Sequence, residues 1–432
     1  MQRLFPWLLT CIVAGSSADC TRSPDESAPP SASAIKHLVV IVQENHTFDN
    51  YFGRYCTAAP FSDPACDTGP ACCEAIPDKD PGTGIAPTEL TDEENAAYSP
   101  NHNQRCEVEE INGGKMDQFV ASRQCGSPRN FAVASAALLQ PYWQLAADGA
   151  LADHYFQPVA GASSSNDMYL ARARFVFADN QFDPDSVGSR CGFNPDRMQF
   201  TEQTIGDLLA ARQVSWAFYA EGYKVMADSN RQDKCPRPPE DCRLGVGIYP
   251  CVFDPSDIPF QYYPAFRDNP IYMRDLEELT QNMQDSALPA VSFVKALGYK
   301  SEHPGEESTI SDGTAFVSAL VEQIRGSQYG GSTLILLAYD EGGGYFDHLA
   351  PPPNSQVDGQ PFGTRLPFIA IGRFARKNHI AHLPLEHSSI VKFIEWNWLG
   401  QETGQLGNRD VTANNLGSLL DPEQTGTAVP ER

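Results

Sequence analysis

The chain is short of basic residues. It has 31 Lys and Arg against 55 Asp and Glu in 432 residues, which gives a formal net charge of -24. A nucleic-acid-binding protein needs a basic face to neutralise phosphates, so this balance argues against nucleic acid binding. It also disfavours simple electrostatic docking on anionic membranes. The hydrophobic share of 41% can still support a sizeable core, so the composition allows a large enzyme.

Long apolar runs are also lacking beyond the N-terminus, where no segment predicts a transmembrane helix. The N-terminus itself is typical of an export signal. Arg3 is followed by an apolar run from Leu4 to Gly15 and by small residues before Asp19. We therefore expect a signal peptide at 1–18, a Ser/Pro/Ala-rich flexible linker at 19–34, and an exported protein that is either periplasmic or secreted.

Cysteine is absent from residue 252 onward, and no repeated CxxC spacing indicates a zinc site. Cys20 is a candidate for lipid attachment. Ten cysteines then remain in the mature chain, enough for five disulfides whose connectivity the sequence leaves open. They are Cys56, Cys66, Cys72, Cys73, Cys106, Cys125, Cys191, Cys235, Cys242 and Cys251. Their two groups predict disulfide-pinned loop insertions at about 54–130 and 180–265 within a single catalytic domain, 35–432.

Two acidic motifs follow strongly apolar runs. Glu44-Asn45 comes after Leu38–Val42, and Asp340-Glu341 comes after Leu334–Ala338. Such runs are typical of strands buried on both faces in parallel sheets, whose ligands bind at the carboxyl ends. Buried carboxylates are costly unless a positive charge lies among them, so the two motifs predict one shared cation site.

The alternation of elements is clearest in the second half of the chain. We expect strands at Ala290–Ala296 and Leu366–Ile371, a helix beginning at Asp312, and a final helix at about Ser388–Trp398. The predicted fold class is α/β, with a mostly parallel central sheet sandwiched by helices.

Several motifs together resemble the bacterial phosphoesterase family of non-specific phospholipases C and their acid phosphatase relatives. The motifs are Glu44-Asn-His-Thr-Phe-Asp-Asn-Tyr-Phe-Gly53, Asn112-Gly-Gly-Lys-Met-Asp117, Ser301-Glu-His-Pro304, Tyr339-Asp-Glu-Gly-Gly-Gly344, Asp347-His348 and Glu386-His-Ser-Ser389. They occur in family order over nearly the whole mature chain. The resemblance implies an alkaline-phosphatase-like fold, hydrolysis of phosphate esters, and a metal-assisted covalent mechanism.

The resemblance also implies roles for particular residues. Its metal ligands would be Glu44, Asn45, Ser163, Asp340 and Glu341, which suit one or more divalent ions: Ca²⁺, Mg²⁺, Mn²⁺ or Zn²⁺. Its nucleophile falls in Gly161-Ala-Ser-Ser-Ser-Asn166, first at Ser163 and second at Ser164, with the register among Ser163, Ser164 and Ser165 open. Ser164 and Asn166 would bind substrate. His102 and His303 would lie near the phosphate, and His348 would assist from further out.

Three functions remain open at this stage. The first is a phospholipase C-like enzyme, and the second is an acid phosphatase for soluble monoesters. The third is a non-catalytic exported protein that keeps the metal site. A set of five aromatic residues either lines an apolar entrance for lipid or belongs to the core. Its members are Tyr142, Trp143, Tyr262, Tyr263 and Phe266. The expected partner is a phosphate-ester substrate, and the sequence leaves the oligomeric state open.

Overall fold

The computed structural model describes residues 31–191, 194–231 and 253–432. The predicted signal peptide, most of the predicted linker and the candidate lipid-attachment residue Cys20 lie outside the described residues. So do Cys235, Cys242 and Cys251.

An eight-stranded sheet forms the centre of the described chain. In their order across the sheet, its strands are β12 (His379–Ala381), β4 (Ala150–Ala152), β11 (Phe368–Ile371), β10 (Thr333–Tyr339), β1 (His37–Gln43), β9 (Val291–Lys295), β7 (Trp216–Ala220) and β8 (Met273–Asp275). β11 runs antiparallel to both of its neighbours, and all other neighbouring pairs are parallel. The prediction of a mostly parallel central sheet is confirmed.

The middle strands are apolar because they are covered on both faces. β10 is buried along its whole length, and in β1 only His37 is partly exposed. Two small parallel ladders lie outside this sheet: β2 (Thr88–Leu90) pairs with β3 (Ala132–Ala134), and β5 (Asp183–Pro184) pairs with β6 (Arg197–Met198).

Helices flank the sheet. The α-helices of the described part are α1 (Phe48–Phe52), α2 (Asp92–Ala97), α3 (Gln104–Ile111), α4 (Ala136–Asp148), α5 (Ser163–Arg172), α6 (Ile205–Ala211), α7 (Tyr223–Arg231), α8 (Leu276–Gln284), α9 (Ile310–Gly326), α10 (His387–Trp398), α11 (Arg409–Thr412) and α12 (Pro422–Thr425). α5 packs against α10, and α4 packs against α9.

Helix starts follow side-chain caps. α9 begins two residues before the predicted Asp312, because Thr309 caps it by accepting a hydrogen bond from the backbone N–H of Asp312. α10 begins at His387, next to the predicted start, and the Glu386 carboxylate caps it. β9 and β11 are slightly shorter than the predicted strands. None of the described helices combines the length and apolarity that crossing a membrane would need.

Disulfides pin the first cysteine-rich stretch. The bonds are Cys56–Cys73, Cys66–Cys72 and Cys106–Cys125. Cys191, in the second stretch, is also disulfide-bonded. Within the range 180–265, β7 joins the central sheet, so this range is not wholly a loop excursion. The division of the chain into domains otherwise stays a prediction.

The set of five aromatic residues belongs to the core. Tyr142, Tyr262, Tyr263 and Phe266 are at most 3% exposed, and Trp143 is half-buried. Tyr142 and Tyr51 donate hydrogen bonds to the buried Glu302. Of the two alternatives that the sequence left open, the structure therefore supports a core position and not an entrance for lipid.

The central strands should dominate stability. Leu336 is fully buried on β10, opposite Val40 of β1. We expect Leu336→Ala to lower the free energy of unfolding by about 2–5 kcal/mol, because it leaves a cavity between packed strands. Ile271→Ala, at a side chain that is 59% exposed, should cost far less. Urea unfolding with the disulfides intact measures both; equal losses would contradict this description of the core.

Candidate functional site

The acidic ends of β1 and β10 lie side by side. The two strands pair in register up to Gln43 and Tyr339, so the next residues, Glu44 and Asp340, share one edge of the sheet. The backbone N–H of Asp340 donates to the Gln43 carbonyl oxygen at 3.1 Å, and that of Asn45 donates to Asp340 Oδ1 at 3.0 Å. The structure thus brings together the two motifs that the sequence predicted as one site.

A glycine turn places Glu341 in the same cluster. Glu341 Oε1 accepts a hydrogen bond from Asn45 Nδ2 at 3.3 Å, and Oε2 accepts one from the Gly343 N–H at 3.0 Å. Gly343 has a φ of +65°, and a Cβ there would meet the Asn45 carbonyl oxygen at 2.5 Å. Only glycine fits this close approach, which holds the Glu341 carboxylate beside Asn45.

Ser163 reaches the cluster from the first position of α5. It is buried, and its Oγ donates to Glu341 Oε1 at 3.2 Å. The backbone N–H of Ser164 donates to Asn180 Oδ1 at 2.9 Å. A hydroxyl at a helix N-terminus lies where the helix dipole favours negative charge. The nucleophile register stays a prediction, and the hydrogen bond to Glu341 favours Ser163.

Asn166 braces the turn before α5. Its Oδ1 accepts from the Val159 N–H at 3.1 Å, and its Nδ2 donates to the carbonyls of Gly161 at 2.8 Å and Ala162 at 3.2 Å. These bonds fix the backbone that presents Ser163. The predicted contact of Asn166 with substrate stays a prediction, but its observed bonds are to the protein itself.

Two of the predicted histidines lie together beside the acids. His102 Nε2 is 3.7 Å from Glu341 Oε1, and the rings of His102 and His303 are 5.9 Å apart. His102 Nδ1 lies 3.0 Å from the Pro100 carbonyl oxygen, so the proton belongs on Nδ1 and the Nε2 lone pair faces the site. Burial, helped by the nearby His303, lowers the pKa of His102 to about 4. A neutral His102 can therefore accept a proton.

His348 lies in a different network. Its Nδ1 is 2.8 Å from Asp49 Oδ2 and its Nε2 is 2.8 Å from Glu74 Oε2. Arg365 binds Asp49 and Asp347 in the same buried group. Although burial alone would lower it, the charge of Asp49 raises the pKa of His348 to about 9. None of these partners belongs to the predicted site set, so the predicted assisting role of His348 stays a prediction.

Sequence reasoning missed Lys295. It ends β9, and its Nζ lies 2.6 Å from Glu44 Oε1, with carboxylate oxygens of Asp257 and Asp167 at 3.8 and 3.9 Å. Although burial alone would raise it, Lys295 lowers the pKa of Glu44. The signal was available, since the predicted strand Ala290–Ala296 ends at the same sheet edge as β1. A lysine inside a predicted buried strand should pair with a carboxylate, because an unpaired buried charge is costly.

Glu107 was also missed. It lies on α3, and its Oε2 accepts hydrogen bonds from the Gly161 N–H at 2.7 Å and from Gln157 Nε2 at 3.0 Å. Burial raises its pKa to about 8. Burial and the charges of Glu107 and Asp340 raise the pKa of Glu341 well above its usual range. Glu107 lies in the disulfide-pinned stretch, where the local sequence pattern does not predict where a side chain lies in the fold.

The residues of the site fit a hard divalent cation. Asn45 Oδ1 and Asp340 Oδ2 are buried and accept no hydrogen bond from any described residue. Burial raises the pKa of Asp340 to about 6, although Lys295 opposes this. Crowded carboxylates with unpartnered oxygens are stable at neutral pH when they share a cation in place of protons. Together, Glu44, Asn45, Asp340, Glu341 and Ser163 offer only oxygen donors.

The Lys295–Glu44 pair should be energetically coupled. Lys295→Met leaves Glu44 buried without its partner and should lower the free energy of unfolding by about 3–5 kcal/mol. The double variant Lys295→Met/Glu44→Gln should lose about 1–3 kcal/mol less than the sum of the two single losses. Urea unfolding with a chelator present measures all three variants, because the chelator prevents a cation from replacing the lysine. Strictly additive losses would show that the pair is not coupled.

Curated relatives are phospholipases C. The chain is 22% identical to the non-hemolytic phospholipase C of Pseudomonas aeruginosa over 399 residues, which covers 84% of this chain and 53% of that protein. It is 23% identical to phospholipase C B of Mycobacterium tuberculosis over 437 residues, which covers 91% of this chain and 79% of that protein. The chain thus spans about half the length of the Pseudomonas relative.

Among solved structures, the chain is similar to a protein of the alkaline phosphatase superfamily from Vibrio parahaemolyticus. The sequence identity is 11%, the match covers 95% of this chain and 76% of that one, and the TM-score of 0.37 marks a distant likeness.

The model of the Phosphoesterase family matches residues 35–399. This range contains both strand-end motifs, the serines that open α5 and the histidines beside them. The chain therefore belongs to the Phosphoesterase family.

Proposed function

We propose that this chain is an exported, metal-dependent phosphoesterase, similar to the phospholipases C, that works through a phospho-serine intermediate on Ser163. The observation that carries the proposal is the 3.2 Å hydrogen bond from Ser163 Oγ to Glu341 at the start of α5. It places a buried hydroxyl beside carboxylates whose oxygens are not all satisfied by the protein. Family membership and the names of the relatives support the phosphate-ester substrate class.

The cation would be held by Glu44, Asn45, Asp340 and Glu341, with Ser163 Oγ directed to it. When bound, a divalent ion lowers the pKa of a coordinated hydroxyl and neutralises phosphoryl charge. Oxygen donors suit Ca²⁺, Mg²⁺ or Mn²⁺, and carboxylates also bind Zn²⁺. Lys295, paired with Glu44, adds a fixed positive charge on the β9 side of the site.

Ser163 begins the reaction. Its Oγ attacks phosphorus, the bond from phosphorus to the alcohol breaks, and the alcohol leaves with a proton. Water then attacks the phospho-serine, which restores Ser163. A monoester releases phosphate in this second step, whereas a phospholipid releases its phosphorylated head group. The N-terminus of α5 favours the negative phosphoryl group throughout.

The two histidines divide the proton transfers. His102 is neutral at pH 7 because its pKa is lowered, so its Nε2 can take a proton from Ser163 or from water. The ring of His303 lies beside it and can donate to the leaving alcohol. An arriving phosphate would favour the protonated form of His102, because negative charge stabilises imidazolium.

A soluble phosphomonoester is the second candidate substrate. The burial of four aromatic side chains favours this substrate, because buried side chains offer no apolar entrance for lipid. They are Tyr142, Tyr262, Tyr263 and Phe266. Export is supported by the disulfides, which persist in oxidising compartments. Lipid attachment at Cys20 stays a prediction.

Ser163 should be essential. We expect Ser163→Ala to lower kcat by three or more orders of magnitude, roughly the loss seen when a nucleophile is removed. The mature protein would be assayed with p-nitrophenyl phosphate and p-nitrophenyl phosphocholine, with chelator and after adding back Ca²⁺, Mg²⁺, Mn²⁺ or Zn²⁺. Chelator should abolish turnover, and mass spectrometry of quenched enzyme should find the phosphoryl adduct on the Ser163 peptide.

Ser164→Ala is the comparison variant, and it should lose far less activity than Ser163→Ala, because Ser164 is predicted to bind substrate and not to attack it. If Ser164→Ala is inactive and Ser163→Ala is not, the nucleophile is one residue further along. Preference for the diester supports a phospholipase C-like enzyme, and preference for the monoester supports a phosphatase. No metal-dependent turnover on either ester would move the assignment to a non-catalytic metal-binding protein.

A further inference from the structure

A second polar cluster lies at the same edge of the sheet but outside the candidate site. Asp153 directly follows β4, and His382 directly follows β12, its parallel neighbour, in register at Ala152 and Ala381. His154 comes next to Asp153 in the chain. β10 and β11 separate these strands from β1. No motif in the sequence predicted that these histidines act together.

The candidate ligand atoms of the cluster already lie close together. His154 Nδ1 is 2.7 Å from Asp153 Oδ1, and His382 Nδ1 is 2.8 Å from Asp153 Oδ2. One ligand atom from each of the three residues lies within 4.8 Å of the other two. Tetrahedral ligands at about 2.0–2.2 Å from a zinc ion lie about 3.3–3.6 Å apart, so binding needs only a small separation of these groups. Asp153 is buried, while the two imidazoles are half-buried and open to solvent on one side. A metal could enter with little movement of the protein.

A backbone carbonyl orients one of the rings. His382 Nε2 lies 2.7 Å from the Cys66 carbonyl oxygen, so Nε2 carries a proton and donates it. This is the arrangement that orients metal-bound histidines, since the far ring nitrogen donates to a carbonyl and the near one binds the ion. Without a metal, Nδ1 must also be protonated to face a carboxylate. The hydrogen bond to Asp153 accordingly raises the pKa of His382 to about 9.

The other histidine and aspartate cluster lacks this opening. In the group of Asp49, Asp347 and His348, Arg365 already binds both carboxylates, and Glu74 engages the second nitrogen of His348. All of these side chains are buried. A metal would have to displace an arginine, whereas at Asp153 it displaces only protons.

We propose that Asp153, His154 and His382 bind one zinc ion at a site separate from the candidate catalytic centre. Two imidazoles and a carboxylate suit Zn²⁺ or Co²⁺, unlike the all-oxygen set of the catalytic centre, which suits harder ions. Water completes the coordination. Because the Cys66 carbonyl holds His382, and Cys66 is bonded to Cys72, the ion ties the disulfide-pinned loop to β4 and β12.

The test uses metal-free mature protein at pH 8 in excess Mg²⁺, titrated with Co²⁺ and then with Zn²⁺. We expect one equivalent of Co²⁺ to bind with visible absorption that shows nitrogen ligands, and Zn²⁺ to displace it and raise the unfolding midpoint. Glu341→Gln, in the candidate catalytic site, should keep this equivalent. The double variant His154→Gln/His382→Gln should bind at least 100-fold more weakly and gain no stability from Zn²⁺.

His37→Gln is the matched control, because His37 is a half-buried imidazole bonded to a carbonyl at the opposite end of β1. It should bind zinc like the unaltered protein. If the double variant does not fold, His154→Gln alone should still weaken binding at least tenfold. Unchanged zinc binding in the histidine variants would overturn the proposal. So would the loss of all zinc binding in Glu341→Gln, because the zinc would then belong to the candidate catalytic site.

Discussion

The site depends on one electrostatic constraint: several carboxyl groups are buried together at the carboxyl edge of the sheet. Glu44, Asp340 and Glu341 follow the ends of β1 and β10, while Asp167 and Asp257 approach Lys295 from other elements. Lys295 offsets part of this charge. The carboxyl groups that Lys295 does not neutralise have a pKa that burial raises. A divalent ion can replace the protons that these groups would otherwise hold.

The disulfide-bonded stretch helps to hold Ser163 beside these carboxyl groups. The Cys106–Cys125 disulfide anchors α3, from which Glu107 binds the Gly161 N–H in the turn before α5. Asn166 closes the same turn from the other side. The disulfide-pinned stretch therefore supports the turn that presents Ser163.

The sequence predicted the strand-end acids because buried parallel strands have continuous apolar runs, and each motif begins one residue after such a run. The residues after the three serines favour helix, and α5 begins at Ser163. The sequence could not place Glu107, whose position depends on a loop fold that local pattern does not determine. It missed Lys295 because a strand was judged by its apolar residues, although a buried lysine needs a carboxylate. The zinc cluster was invisible because Asp153 and His382 are distant in the chain and meet only through the pairing of β4 with β12.

The most direct test measures the binding of Mn²⁺ to metal-free protein at neutral pH by electron paramagnetic resonance, with no other divalent ion present to compete for the carboxylates. The account predicts one bound Mn²⁺ in oxygen coordination that is lost in Asp340→Asn and retained in His154→Gln/His382→Gln. Equal Mn²⁺ binding by Asp340→Asn, or no specific binding by the unaltered chain, would contradict the claim that the strand-end carboxylates form a cation site.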